Sequence, residues 1–113
     1  MSVGPDGGTH QAIEDIAITR VIPNMTVISP CDYIEARKAT VASIALGTPV
    51  YIRLAREKTS VITTDQTPFE IGKANLLYGN PDVKADVGIV ATGALVHKAL
   101  LVAETLKKEK ISV

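Results

Sequence analysis

The chain has 113 residues, a formal net charge of zero, 46% hydrophobic residues and 21% charged residues. The balanced charge argues against a nucleic-acid-binding surface, and the hydrophobic fraction against a disordered chain. We see no apolar run near the roughly 20 residues of a membrane span and no signal-peptide pattern, and the one cysteine cannot form an internal disulfide. We therefore expect a soluble cytoplasmic protein that holds one domain or parts of two.

A glycine-rich loop opens the chain, and residues 4–11 read G-P-D-G-G-T-H-Q. A helical pattern of apolar residues follows from Ala12 to Val21 and predicts a helix. Glycine permits unusual backbone angles, and a loop that enters a helix faces its unpaired N–H groups. This loop concentrates polar and titratable side chains, among them Asp6 and His10.

Strands and helices alternate after this loop. The β-branched run 25–29 predicts a buried strand, and residues 49–55 predict a second one. Between them, Asp32 and Glu35 form a capping-box-like helix start, and Gly47 ends that helix. Because this alternation with short connections is typical of right-handed crossovers, we predict an α/β fold with parallel sheets and flanking helices.

The composition changes in the polar stretch 57–68, where we place a domain boundary, so that the domains are residues 1–65 and 66–113. Beyond it, we predict a strand pair or bent strand within 69–78, a buried strand at 86–91, a helix, and the first residues of a further strand at 111–113. The helix is expected to bury Leu95, Ala99, Val102, Ala103 and Leu106. A chain that starts at a functional loop and stops as a strand begins is expected to be part of a larger enzyme.

The opening loop resembles the G-E-D-G-P-T-H-Q signature of transketolases. The resemblance continues in the same order at 13–15, Arg20, 22–27, 30–32, Glu35, 49–54, Arg56, 69–74 and 91–93. It is strongest to the C-terminal section of transketolases made as two polypeptides. It implies that residues 1–65 are the second half of a pyrimidine-binding domain and that residues 66–113 begin the C-terminal domain.

Transketolases transfer a two-carbon ketol unit between sugar phosphates with thiamine diphosphate and Mg²⁺ or Ca²⁺. By the resemblance, the glutamate that activates the cofactor and the diphosphate-binding domain lie outside this chain. We therefore assign no cofactor-binding residue and no metal site, and we expect the isolated chain to be inactive. The implied partners are sugar phosphates, an N-terminal transketolase section or subunit, and a second copy, with neither nucleic acid nor membrane among them.

The resemblance implies roles for three residues. His10 matches the loop histidine that meets the substrate, and an imidazole can donate or accept a proton near neutral pH. Asp6 matches the aspartate that accepts from sugar hydroxyls. Arg56 matches the arginine that binds the acceptor's phosphate, with Arg53 as a rival. Because alternate residues of a strand face opposite sides, we expect only one of the two arginines to face the site, and we prefer Arg56.

Two other readings stay open. One is a deoxyxylulose-phosphate synthase, which shares the cofactor and a similar loop, although Gln11 and the pair 14–15 fit transketolase better. The other is a non-catalytic α/β assembly module. Pro5 and Gly8 also depart from the family loop, where Glu and Pro are usual, and Gly8 makes the loop less constrained.

Overall fold

The first part of the chain alternates helices and strands, as predicted. In this computed structural model, which describes residues 7–10 and 12–113 apart from the side chain of Thr9, five main elements follow one another. They are α1 (Asp15–Arg20), β1 (Thr26–Ile28), α2 (Tyr33–Ser43), β2 (Val50–Ile52) and α3 (Leu95–Lys108). Short 3-10 helices cover Gly8–His10 and Ile44–Leu46. None of the described helices is long and apolar enough to span a membrane.

The two strands pair in parallel, which confirms the predicted α/β fold. Thr26 lies opposite Val50, and Ile28 lies opposite Ile52. The backbone N–H of Arg53 adds a 2.8 Å bond to the carbonyl of Ile28 just beyond the ladder. Each strand is shorter than predicted, because only these three residues of each run have a paired partner. Helix α2 lies between the two strands in the chain and connects them.

The predicted helix start at Asp32 is confirmed. Its Oδ1 accepts a 2.9 Å bond from the N–H of Glu35, and Glu35 Oε2 accepts a 2.6 Å bond from the N–H of Cys31. These two bonds satisfy N–H groups that a helix N-terminus leaves unpaired. At the other end the chain passes through the 3-10 turn to Gly47, whose φ of 64° is left-handed and therefore suits glycine.

Asp32 also holds the polar segment that follows β2. Its Oδ2 accepts from the N–H of Ile62 at 2.9 Å and from the N–H of Thr63 at 2.7 Å, and the Thr63 hydroxyl donates to the same carboxylate. Lys38 on α2 donates to the carbonyls of Thr64 and Thr67 at 2.7 and 2.5 Å. The stretch that we read as a boundary is therefore tied to α2, while the division into domains stays a prediction.

The strands predicted within 69–78, 86–91 and 111–113 are not formed in the described part of the chain. Val90 is fully exposed, so the prediction of a buried strand there is wrong. The N–H groups of Asp86 and Val87 both donate to the carbonyl of Ser112, which is less than a ladder requires. Apolar composition indicated strands correctly only where a neighbouring backbone supplies hydrogen-bond partners.

Helix α3 is confirmed, but its buried face is not the predicted one. Val96 and Ala103 are buried, whereas Leu95 is 62% and Val102 is 49% exposed. Val96 and Ala103 are seven residues apart and therefore lie on one side of the helix. At its N-terminal end, the N–H of Gly93 and the hydroxyl of Thr92 both donate to the carbonyl of Ser29, at 3.0 Å each. These bonds connect the helix entry to the end of β1.

Much apolar surface stays exposed. The chain exposes 8322 Å², whereas a folded monomer of this mass is expected to expose about 6,000 Å². Among the described residues, the buried apolar side chains are Cys31, Ala39, Val96 and Ala103. The excess leaves a large area for contacts with other polypeptides.

Replacement of Asp32 tests how strongly the fold depends on this carboxylate. We expect Asp32→Ala to lower the free energy of unfolding by about 2–4 kcal/mol, since it removes a helix cap and leaves buried N–H groups unpaired. Urea unfolding followed by circular dichroism measures this loss. Asp65→Ala is the matched control, because Asp65 and its partner Arg37 are exposed, and its cost should stay within about 0.5 kcal/mol. Equal losses in the two variants would contradict this account.

The pH dependence follows from the same bonds. Burial alone raises the pKa of Asp32, but the N–H groups of Glu35, Thr63 and Ile62 outweigh it, so that the pKa lies below its ordinary value. A lowered pKa means that the carboxylate stabilises the fold above its unfolded pKa of about 3.9. This stabilisation is lost as pH falls through the folded pKa, so the difference between wild type and Asp32→Ala should shrink there.

Candidate functional site

A cavity of about 380 Å³ lies where the opening loop meets the end of β2. Its polar lining residues are His10, Asp15, Tyr51, Arg53 and Arg56. The carboxyl ends of parallel strands are the usual place for ligands in α/β folds. The structure therefore brings His10 and Arg56 to one cavity, as the sequence suggested for two parts of one site.

The local backbone places His10 at the rim. His10 ends the 3-10 helix Gly8–His10, and its N–H donates to the carbonyl of Gly7 at 3.2 Å. Gly7 has a φ of 80°, a left-handed value that favours glycine. Asp6 lies outside the described residues, so its predicted role beside His10 stays a prediction.

Both arginines border the cavity, contrary to our expectation that only one would face it. The reason is that β2 ends at Ile52. The alternation of side chains along a strand therefore does not extend from Arg53 to Arg56.

Asp15, Tyr51 and Arg53 form a hydrogen-bonded cluster in the cavity wall. Asp15 Oδ2 accepts from the Tyr51 hydroxyl at 2.9 Å and from Arg53 Nε at 2.8 Å. The Arg53 bond, followed by the Tyr51 bond, lowers the pKa of Asp15, and the bond to Asp15 in turn raises the pKa of Tyr51. At neutral pH the cluster therefore consists of a carboxylate, a guanidinium and a neutral phenol. It fixes α1 against the end of β2.

Our sequence reading did not assign Asp15, Tyr51 or Arg53 to a site. One signal was available, because Tyr51 and Arg53 are two residues apart and residues at that spacing share one face of a strand. Nothing in the sequence indicated that an acidic residue of the first helix would meet them, since that contact joins residues 36 and 38 positions apart.

Cys31 packs beside the start of α2, as expected, and has no sign of reactivity. It is buried, and burial followed by its contact with Glu35 raises the pKa of its thiol to about 12. A thiol with this pKa stays protonated at neutral pH and is a poor nucleophile.

Comparison with known proteins decides the family. Residues 1–61, more than half of the chain, match the model of the transketolase pyrimidine-binding domain. The chain belongs to the transketolase family. In this transketolase chain, β1, α2 and β2 lie within the matched residues.

Similar proteins agree with this membership. A protein of Methanocaldococcus jannaschii named as a transketolase C-terminal section is 41% identical over 99% of this chain and 35% of its own length. A 6-deoxy-6-sulfo-D-fructose transketolase subunit of a Clostridium species is 43% identical over 94% of this chain and 32% of its own length. The transketolase chain thus spans about a third of these curated relatives.

A solved structure shares the fold. A split-gene transketolase, described as an inactive β4 tetramer, has a TM-score of 0.82 and 39% identity over 92% of this chain and 33% of that chain.

The described residues do not fit the family's cofactor. A diphosphate held through Mg²⁺ needs carboxylate, amide or carbonyl oxygens around the ion, but Asp15 and Asp32 already accept from other groups. Among the residues described, no group of three or more His, Cys, Asp or Glu side chains converges. We therefore derive no step through thiamine diphosphate from this transketolase chain.

Titration of Tyr51 tests the cluster. We expect its pKa in the wild-type chain to lie above the ordinary value of about 10 and to fall in Asp15→Asn, because the neighbouring negative charge is gone. Nuclear magnetic resonance of the tyrosine ring carbons measures it. Because the folded pKa is raised, the stability from this bond is complete below the unfolded pKa and is lost as pH rises through the folded one.

Asp86→Asn is the control for this titration. Asp86 bonds to Ser112 and is not part of the cavity wall, so its replacement should leave the Tyr51 titration unchanged. A Tyr51 pKa that is the same in wild type and Asp15→Asn would show that the cluster does not form in solution.

Proposed function

We propose that this chain supplies a substrate-recognition part of a cytoplasmic transketolase that moves a two-carbon ketol unit between sugar phosphates. The observation that supports this most directly is the shared cavity of His10 and Arg56 at the end of β2. Its volume of about 380 Å³ lies within the usual range for small-molecule sites. One imidazole and a nearby guanidinium suit a ligand with hydroxyls at one end and an anion at the other.

His10 and Asp6 address the sugar oxygens in this proposal. A neutral imidazole can donate to one oxygen and accept from another, and it can exchange a proton at working pH. The Asp6 carboxylate accepts from a sugar hydroxyl. His10 is thus the catalytic residue of the chain, acting by proton transfer at the reacting oxygens.

Arg56 binds the acceptor's phosphate. A planar guanidinium can donate two parallel bonds to a phosphate, and such charge-assisted bonds are strong and directional. Because Arg56 borders the same cavity as His10, one sugar phosphate can meet both residues.

The rest of the enzyme comes from other polypeptides. Thiamine diphosphate, when bound there with Mg²⁺ or Ca²⁺, supplies the carbanion chemistry of ketol transfer. An N-terminal transketolase section or subunit would carry those sites, and a second copy of this chain would complete the assembly. The large exposed apolar surface and the name of the structural neighbour, a β4 tetramer, both support such association.

A non-catalytic assembly role is the second candidate. It is favoured by the structural neighbour, whose β4 tetramer is described as inactive. In this case the chain would form oligomers without completing a site.

Reconstitution distinguishes these candidates. We expect this chain alone to show no ketol transfer, and the chain mixed with an N-terminal transketolase section, thiamine diphosphate and Mg²⁺ to transfer ketol units from a ketose phosphate. His10→Asn should lower kcat/KM of the mixture about 100-fold, since general acid–base catalysis contributes at least that much. An inactive mixture would support the assembly role, and turnover from pyruvate would support a deoxyxylulose-phosphate synthase.

The role of Arg56 has its own test. We expect Arg56→Gln to raise KM for an aldose phosphate about 10- to 100-fold, because charged hydrogen bonds of this kind are lost, with little change for the same aldose without phosphate. Steady-state kinetics of the reconstituted mixture measures both. Arg37→Gln is the control, since Arg37 is exposed on α2 and pairs with Asp65. A rise of equal size for both aldoses would exclude phosphate recognition by Arg56.

A further inference from the structure

Arg53 meets Asp15 through one edge of its guanidinium. Its Nε donates to Asp15 Oδ2 at 2.8 Å, and among the described residues no hydrogen bond is formed by its two terminal nitrogens. The Asp15 side chain is 15% exposed and the Arg53 side chain 29%. The carboxylate is thus the more deeply covered partner, and the guanidinium has more open surface at the cavity.

Asp15 is itself held in place. The Tyr51 hydroxyl donates to the same oxygen that accepts from Arg53, and Tyr51 lies in β2, in register with Val27 of β1. A carboxylate fixed by a strand residue restricts the rotamers of the long arginine side chain, which would otherwise cost entropy on ligand binding. Asp15 and Tyr51 therefore orient Arg53 before any ligand arrives.

We propose that Arg53 is a second anion-binding residue of the cavity and that Asp15 is the positioning residue that orients it. This inference rests on the proposed function, in which Arg56 binds the substrate's anionic end. The ligand is a sugar with a tetrahedral oxyanion, either a phosphate ester or a sulfonate. Both groups present several acceptor oxygens, so two guanidiniums can donate to one anion.

A purely structural cluster would behave differently. If the Asp15–Arg53 pair only joined α1 to β2, its removal would lower stability without separating anionic from neutral substrates. If Arg53 binds the anion, the effect appears in KM for the anionic substrate and spares kcat.

The kinetic test uses the chain reconstituted with the N-terminal section and the cofactor. We expect Arg53→Gln to raise KM for an aldose phosphate about 10-fold, to leave kcat similar, and to leave the unphosphorylated aldose unaffected. Asp15→Asn should give a smaller rise that disappears in the Arg53→Gln background, because Asp15 acts through Arg53. A 6-deoxy-6-sulfo sugar in place of the phosphate shows whether the site takes sulfonates.

Control variants separate charge from geometry. Arg53→Lys keeps the positive charge but lacks the planar fork, so it should recover part of the affinity. Arg37→Gln removes the arginine of another Asp–Arg pair and should change neither KM. The inference is wrong if Arg53→Gln changes KM for both aldoses alike, or if Asp15→Asn has its full effect without Arg53.

A second readout does not depend on catalysis. Titration of the wild-type chain with inorganic phosphate, and separately with methanesulfonate, should shift the nuclear magnetic resonance signal of Arg53 Nε, and the shift should weaken in Asp15→Asn. A shift in a chain that forms no active mixture would uphold this inference while the proposed function fails. Ketol transfer without any shift, and with Arg53→Gln like wild type, would overturn the inference alone.

Discussion

The structure depends most on the carboxylate of Asp32. It caps α2 through Glu35 and gathers the N–H groups of Ile62 and Thr63 on its other oxygen. Although burial of a charge is costly, several short bonds to N–H and O–H donors compensate for it. One side chain thus positions the crossover helix and the segment after β2, and the position of β2 determines where the cavity lies.

Charge compensation shapes the cavity as well. Asp15 and Arg53 neutralise each other in the wall, and Tyr51 keeps their arrangement by bonding to the same oxygen. Arg56 borders the same space with His10 at its rim. A site with compensated charges in its wall and a separate arginine can favour anionic ligands without accumulating buried positive charge.

The latter part of the chain illustrates what a strand needs. Apolar residues such as Val87 and Ile89 are 38% and 39% exposed, and Val90 is fully exposed. Their sequence is suited to a central strand of a parallel sheet, where both faces are covered. In the described chain, the short backbone contact of Asp86 and Val87 with Ser112 takes the place of a ladder. Contacts with further polypeptide would be needed to bury them, which agrees with the proposed assembly.

The sequence by itself determined the α/β class, the parallel pairing, the capped start of α2 and the family, because these depend on local patterns and short motifs. It also indicated His10 and Arg56 as parts of one site. Only the tertiary structure showed the Asp15–Tyr51–Arg53 cluster and the attachment of residues 62–67 to α2. It also showed that Val96 rather than Leu95 is buried. These features join residues far apart in the chain or depend on which surfaces are covered, and neither can be read from local periodicity.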